Sequence, residues 1–286
     1  MQKLLGLKID VDTYEGMRRG VPALLKLMDN LGAKGTFYLS IGPDASGRAI
    51  LELLRNPRFL QKMWRTNAVG LYGLRTALYG TLLPSPLIAL SFPEIVKEII
   101  AQGHEVQFHA WDHRRWQDEL SRRSTEWITA WFASGVEGFV KLTGHAPTSF
   151  GAPAWLVDER VLAIVRNYAF AYLSCTRAKE SFIHESCGLI EVPSDLPCLE
   201  EVGLEHGQDI IVKRMQEPGH HVLPLHAEVE GGIRQSWFVQ MMAKATALGY
   251  QAVSLRTIYD QLVRETLPVR KHQLAMLPGR AAPCAV

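Results

Sequence analysis

The chain has 286 residues, of which 47% are hydrophobic and 21% charged, a composition typical of a soluble globular protein with a large core. Its formal net charge of +2 gives no support for a nucleic-acid partner, so any basic partner surface has to be local. Four cysteines without a CxxC pair predict reduced thiols rather than a disulfide framework. The opening residues lack the features of a signal peptide, and no run of about 18 apolar residues predicts a membrane-spanning helix.

Short apolar runs alternate with helical patterns along the chain. Strands are predicted over 4–9, 35–39, 105–108, 190–192, 222–225 and 252–255. Helices are predicted over 21–31, 95–101, 125–142, 157–165, 236–248 and 257–263. The alternation predicts parallel strands with helical crossovers, hence an α/β barrel or an open doubly wound sheet. We expect one domain over 1–265, followed by a basic tail over 266–286.

Polar side chains stand where several predicted strands end. Asp10 and Asp12 follow the first strand, and His109 and His226 end two later ones. In a barrel of parallel strands the carboxyl ends open on one face, which carries the active site. We therefore expect these side chains to meet at one mouth.

Two histidines, His109 and His113, are four residues apart in the segment HAWDH. On a helical turn this spacing places two imidazoles about 5–6 Å apart on one face, which suits a shared cation. The motif alone has low specificity, because two surface histidines on a loop produce the same pattern.

Two acidic residues, Asp10 and Asp12, share one face of the first strand because side chains alternate along it. Carboxylates this close repel each other unless a cation or a shared proton lies between them. Together with His109 and His113, Asp12 predicts a site for one divalent metal ion, which could be zinc, cobalt, manganese or iron.

A third histidine, His226, ends a strand in LPLHAEVEG. A lone histidine after an apolar strand is more often a core residue, but at the predicted mouth it supplies the proton donor that hydrolysis needs. Glu228 and Glu230 could orient it. In this mechanism Asp10 is the general base toward water and His226 protonates the departing amine.

These motifs resemble those of the polysaccharide deacetylases of the NodB-homology type, carbohydrate esterase family 4. The resemblance implies a single-domain deformed (β/α)7 barrel and a metal-dependent amide hydrolase. It also implies Asp10 as base, Asp12, His109 and His113 as metal ligands, and His226 as general acid.

Longer segments are similar to one branch of that family, which removes formate from a lipid-linked formamido sugar. They are LKIDVDTYEGMRRGVPALL, SIGPDASGR, FLQKMWRTNAVGLYG, HEVQFHAWDHRRWQ, EVPSDLPCLEEV and LHAEVEG. The resemblance implies as substrate 4-deoxy-4-formamido-L-arabinose on undecaprenyl phosphate. The products would be formate and the 4-amino sugar used in lipid A modification and polymyxin resistance. It also implies a peripheral protein on the cytoplasmic side of the bacterial inner membrane.

Two positions depart from the family pattern. Gly151, in GAPAW, stands where the family usually has the arginine that orients the base, and Ala154 of the same motif is a further candidate for support. Cys175 stands where the branch tends to have an aspartate behind the general acid, so Glu228 is a substitute candidate. Both changes bear on rate and substrate more than on reaction class.

An unusual segment spans residues 53–93, which contain no aspartate or glutamate. Its cations would meet anionic headgroups while its aromatic residues enter the interfacial zone. The lipid-facing candidates are Arg58, Lys62, Trp64, Arg65, Tyr72, Arg75 and Tyr79. The alternative is that the aromatic residues belong to the core and the cations to a solvated face.

Two other functions remain open at this stage. One is a deacetylase of another N-acylated sugar or of peptidoglycan, which the acyl group released would distinguish. The other is a non-catalytic member that binds the polyprenyl carrier, favoured by the departures at Gly151 and Cys175 but not by the presence of all five predicted catalytic and metal residues.

Overall fold

A mostly parallel β-sheet organises the residues that the computed structural model describes, 3–48 and 78–286. Its strands are β1 (Lys3–Val11), β2 (Thr36–Ser40), β3 (Glu105–Ala110), β4 (Ser149–Phe150), β5 (Tyr172–Leu173), β6 (Phe182–His184), β7 (Ile190–Glu191), β8 (His221–His226), β9 (Tyr250–Val253) and β10 (Val269–Arg270). The order is β10-β6-β7-β5-β4-β3-β2-β1-β8, with β9 also pairing with β1, and only β6 and β7 pair antiparallel. A separate antiparallel pair consists of β11 (Leu274–Ala275) and β12 (Cys284–Ala285).

Nine α-helices lie within the described residues. They are α1 (Val21–Asn30), α2 (Pro93–Ala101), α3 (His113–Glu119), α4 (Thr125–Thr143), α5 (Glu159–Val165), α6 (Leu199–Val202), α7 (Gly207–Arg214), α8 (Gln235–Ala247) and α9 (Leu255–Leu262). Single turns of 3-10 helix cover Ala89–Ser91, Leu120–Arg122 and Pro153–Trp155, and π-turns cover Gly16–Gly20 and Val229–Ile233. None of the helices in this part of the chain is long and apolar enough to cross a membrane.

Strand β1 is buried along almost its whole length because it has neighbours on both edges and packed layers on both faces. Leu5, Leu7 and Ile9 belong to the larger apolar cluster, whereas Leu4 packs in a second cluster with Tyr38. Alternation therefore puts Lys8 and Asp10 on the face opposite that of Leu7 and Ile9.

The predicted α/β class with parallel strands is confirmed, but the sheet is not closed into a barrel. In the described ranges no strand joins β8 to β10 at the other end of the order. The long predicted strands and helices are present, with bounds that differ by a few residues. Sequence reasoning missed α6 and the short strands β4, β5, β6, β10, β11 and β12, since elements of two to four residues carry no readable period. It also missed the longer helices α3 and α7.

Candidate metal and catalytic site

The three predicted metal ligands converge beyond the carboxyl ends of β1 and β3. Asp12 follows β1, His109 lies in β3, and His113 is the first residue of α3. Asp12 Oδ1 lies 3.1 Å from His109 Nε2, and Asp12 Oδ2 lies 3.3 Å from His113 Nε2. One ligand atom from each residue falls within 4.8 Å of the others, so the three could hold one metal ion.

The surroundings of His109 fix which ring nitrogen faces this point. Its Nδ1 donates a hydrogen bond to the carbonyl of Gly151 at 2.7 Å, which leaves Nε2 directed at Asp12. His109 Nε2 and Asp12 Oδ1 are both buried, and neither has a well-aligned hydrogen-bond partner in the described part of the chain. Buried polar atoms without partners are expected where the ligands of a cation face it, so the residues fit a divalent metal.

The electrostatics of Asp12 and His113 favour their metal-binding protonation states. Burial alone would raise the pKa of Asp12, but the nearby charges of His113 and His109 hold it well below its usual value. Burial lowers the pKa of His113 to about 4, despite the opposing charge of Asp12. Metal ligation requires an ionised carboxylate and a neutral imidazole, which both shifts supply at neutral pH.

Asp10, the predicted base, lies on the same face of β1 as Asp12 and is buried. Both of its carboxylate oxygens accept hydrogen bonds from the ammonium of Lys8, two residues earlier on the strand. This partner was missed at the level of sequence, although the alternation in LKIDVD places Lys8 on the same face.

His226, the predicted acid, ends β8 directly beside Asp10 on β1. Its Nδ1 lies 3.0 Å from Glu200 Oε1, while Glu230 accepts the backbone N–H of His226 at 2.8 Å. Burial lowers the pKa of His226, but the contact with Glu200 and the charge of Asp12 together outweigh burial and raise the pKa well above its usual value. The carboxylate that faces the ring is thus Glu200, and Glu230 holds the backbone.

The other two carboxylates near His226, those of Glu228 and Glu230, are buried. Burial and the charge of Asp12 raise the pKa of Glu228 well above its usual value. Burial and the charge of Glu200 raise the pKa of Glu230 to about 8. Glu230 therefore favours its protonated form at neutral pH, whereas Glu200, paired with His226, has a lowered pKa despite its burial.

Glu200 is positioned by a network around the short helix α6. The next residue, Glu201, receives Arg177 Nη1 at 2.6 Å and Arg280 Nη1 at 3.1 Å. Arg280 also donates to the carbonyl of Ala154 at 2.9 Å. No local sequence signal pointed to Glu200, because its contact with His226 depends on how a loop returns to the mouth.

The two departures from the family pattern have structural explanations. A side chain at Gly151 would meet the Tyr38 ring, since a Cβ there would lie 2.8 Å from Tyr38 Cδ1. Cys175 is fully buried, and its Sγ donates to the carbonyl of Phe150 at 3.3 Å. Its backbone N–H and that of Thr176 each lie 2.7 Å from Glu191 Oε1, which indicates a packing role for Cys175.

Of the predicted lipid-facing residues, only Tyr79 lies within the described residues. Its ring packs edge-on against Tyr14 at 5.9 Å, just beyond the end of β1. Leu82 and Leu87 follow it and are exposed, with Leu82 at 81%. Arg58, Lys62, Trp64, Arg65, Tyr72 and Arg75 lie outside the described ranges.

A separate cavity of about 550 Å³ opens at the other end of the strands. Its lining includes Lys3 and His221, the first residues of β1 and β8, together with Asp195. His221 Nδ1 lies 2.6 Å from Asp195 Oδ2. None of the metal, base or acid candidates lines this cavity, so it is not part of the candidate site.

Comparisons with known proteins show the family to which the chain belongs. Residues 3–173 match the family model described as polysaccharide deacetylase. A protein of Shewanella sediminis is 32% identical over 90% of this chain and 86% of its own length, and one of Wigglesworthia glossinidia brevipalpis is 28% identical over 93% and 96%. Both carry the name "Probable 4-deoxy-4-formamido-L-arabinose-phosphoundecaprenol deformylase ArnD". A crystal structure from Mycobacterium smegmatis, assigned to the polysaccharide deacetylases, has a TM-score of 0.66 at 16% identity and covers 97% of this chain and 96% of its own.

Proposed function

Since the chain belongs to the polysaccharide deacetylase family and is an amide hydrolase, we propose that Asp12, His109 and His113 bind a catalytic divalent metal ion. The convergence of these three side chains within 4.8 Å is the observation that carries the proposal. We further assign Asp10 as general base and His226 as general acid, because both flank the triad on the adjacent strands β1 and β8.

The chemistry divides among the chain's own residues. A divalent metal bound there supplies a Lewis acid that polarises the amide carbonyl and lowers the pKa of water. Asp10 removes a proton from the attacking water, and its ionised form is held by the Lys8 ammonium. His226, whose pKa is raised chiefly by Glu200 against the effect of burial, holds the proton that the leaving amine takes.

The substrate we assign is 4-deoxy-4-formamido-L-arabinose linked to undecaprenyl phosphate. Its support is the name of the two relatives, one of which is 32% identical over 90% of this chain. Hydrolysis of the formamide would give formate and the 4-amino sugar lipid used in lipid A modification and polymyxin resistance.

A formate-release assay on this lipid tests the proposal. We expect formate release that a chelator abolishes and added divalent metal restores. Asp10→Asn and His226→Ala should each lower kcat by about 10²–10⁴-fold while metal content stays the same. Release of acetate from an N-acetyl sugar, with no formate from the lipid, would favour a deacetylase instead, and metal binding with neither release would favour a carrier-binding protein.

We also propose that the chain works at the anionic cytoplasmic surface of the inner membrane, through residues 53–93. The described end of this segment is anchored beside the site, because Asp44 N–H donates to the carbonyl of Pro86 and Gly42 O accepts from Ile88 N–H. Leu82 and Leu87 are exposed there. An acid-free segment with exposed leucines suits an interface with anionic lipid.

Sedimentation with vesicles that contain anionic lipid tests the membrane proposal. Deletion of residues 64–90 should abolish binding while metal content is retained. Leu82→Asp with Leu87→Asp should weaken binding, whereas Ile100→Asp is the matched control, since Ile100 is 42% exposed in the last turns of α2, before β3 begins. Unchanged sedimentation of the deletion variant would rule the proposal out.

A further inference from the structure

The hydrogen-bond partner of Asp10 is the buried ammonium of Lys8, a residue to which the proposed function assigns no role of its own. Lys8 is 0% exposed and Asp10 is 4% exposed. A buried ammonium is unfavourable unless it is paired and hydrogen-bonded. Among the described residues, the side-chain hydrogen bonds of Lys8 go to the two carboxylate oxygens of Asp10, so each group compensates the burial of the other.

Residue 151 has no room for a side chain, because the Tyr38 ring occupies the space beside Gly151. The Tyr38 ring lies where a Cβ of residue 151 would point, with Tyr38 Cδ1 at 2.8 Å and Cε1 at 2.9 Å. Tyr38 is fully buried and its hydroxyl is 2.7 Å from Ser149 Oγ, so the ring has little freedom to move away. A side chain that pairs with Asp10 therefore has to belong to an element other than the segment of Gly151.

Lys8 lies on β1, two residues before Asp10, and its ammonium is close to two aromatic rings. Its Nζ lies 4.9 Å from the Tyr38 ring centroid and 5.4 Å from that of Trp155. Trp155 reaches this position through a turn in which Ala154 and Trp155 both have left-handed backbone, with φ of 54° and 53°. Two adjacent non-glycine residues with this conformation are costly, and such strain persists where the surrounding structure requires it.

We infer that Lys8 is the positioning residue of the base: it fixes the plane of the Asp10 carboxylate and balances its charge, a role that Gly151 cannot serve in this chain. The inference rests on the proposed function, in which Asp10 is the base. It concerns the pair Lys8–Asp10 and leaves the triad of Asp12, His109 and His113 unchanged.

A double-variant cycle with Asp10 tests the inference. Lys8→Met should lower kcat by about 10–10²-fold with KM little changed, because removal of a supporting group costs that much. Metal content per chain, measured by elemental analysis, should stay at the value of the unaltered chain. In an Asp10→Asn background, Lys8→Met should lower kcat no further, because the two residues act as one unit.

Thermal unfolding separates this role from simple packing. Lys8→Met should lower Tm by leaving the Asp10 carboxylate buried without a partner, and adding Asp10→Asn should restore part of the loss. Lys8→Arg retains a cation and should keep more kcat than Lys8→Met. Leu7→Val is the matched control, because Leu7 is buried on the other face of the same strand and should lower Tm without changing kcat.

The outcomes separate the two proposals. If Asp10→Asn is inactive but Lys8→Met keeps the kcat of the unaltered chain, the role of Lys8 is wrong and the assignment of Asp10 stands. If the Tm losses of Lys8→Met and Asp10→Asn simply add, or if Lys8→Met loses the metal, the positioning role is also wrong. If Asp10→Asn keeps full activity, Asp10 is not the base and both proposals fail.

Discussion

At the scale of single residues, burial links the protonation of His104 to stability. Its Nδ1 accepts a hydrogen bond from the Gly35 N–H at 3.3 Å, and its Nε2 is buried with no hydrogen-bond partner in the described ranges. Burial, helped by the charge of Lys34, lowers the pKa of His104 from 6.5 to about 4. Protonation would place a charge on a ring that is 6% exposed, which disfavours the folded state.

The sign of the pH effect follows from this lowered pKa. Below pH 6.5 the unfolded chain binds a proton at His104 that the folded chain refuses until about pH 4. The contribution of His104 to stability is therefore complete above pH 6.5 and is lost as the pH falls to about 4. We expect a loss of about 2 kcal/mol, less than the full shift would give, because solvent near the exposed Lys34 screens part of the charge.

Urea unfolding between pH 4 and 7 measures this loss. His104→Asn keeps an acceptor for the Gly35 N–H but cannot titrate, so its stability should fall less over this range than that of the unaltered chain. His145→Asn is the control, because His145 is exposed and its replacement should leave the slope unchanged. Parallel curves for the unaltered chain and His104→Asn would contradict the assignment.

At the scale of elements, the four-residue helix α6 depends on contacts rather than on its own length. A helix this short has almost no intrinsic stability. Glu201 anchors it through Arg177, whose side chain is 4% exposed and also donates to the carbonyls of Ser194 and Leu196. The position of Glu200 relative to His226 therefore depends on the ion pair between Arg177 and Glu201.

Arg177→Met should therefore reduce both stability and activity. Loss of one partner from a buried ion pair costs about 3 kcal/mol, here at the low end because Arg280 still contacts Glu201. Chemical unfolding should show this as a lower midpoint with an unchanged slope, and kcat should fall because Glu200 is displaced. Lys244→Met breaks the exposed pair with Asp209 and should cost about 0–1 kcal/mol with full activity; equal losses in the two variants would refute the anchoring role.

An element could be predicted from the sequence where its own residues carry a period, but not where its position depends on contacts with distant residues. Helices such as α4 and the strand β3 carry a period that a single sequence reveals, and the HxxxH spacing in β3 and α3 is local. The partners of the base and the acid differ in this respect. Lys8 was accessible from strand alternation, whereas Glu200 lies 26 residues before His226 on a four-residue helix that carries no readable period.

At the scale of the whole molecule, the basic tail, residues 266–286, packs beside the candidate site. Residues 269–270 extend the sheet as β10, and the carbonyl of Ala285 accepts from the Arg177 N–H at 2.8 Å. Cys284 and Ala285 are fully buried. The guanidinium of Arg280 lies 5.0 Å from the Trp155 ring centroid, on the residue that also covers Lys8.

Deletion of residues 277–286 should therefore impair catalysis without removing the metal ligands. The deletion takes away Arg280 and β12, so α6 and the turn at Trp155 lose support on one side. We expect a lower Tm and a kcat reduced by at least about tenfold, since removal of supporting contacts has that effect. Metal content should be retained, because Asp12, His109 and His113 belong to the β1 and β3 side of the mouth.

Two variants distinguish a supporting tail from a merely attached one. Arg280→Met removes only the contacts to Glu201 and Ala154 and should reproduce part of the loss in kcat. Met276→Ser alters a tail residue that is 59% exposed and should change neither Tm nor kcat. If the deleted chain keeps full Tm and turnover, the tail is an appendage and the site is complete without it. If Tm falls but kcat does not, the tail supports the fold alone, and the strained turn that covers Lys8 holds its position through residues before 277.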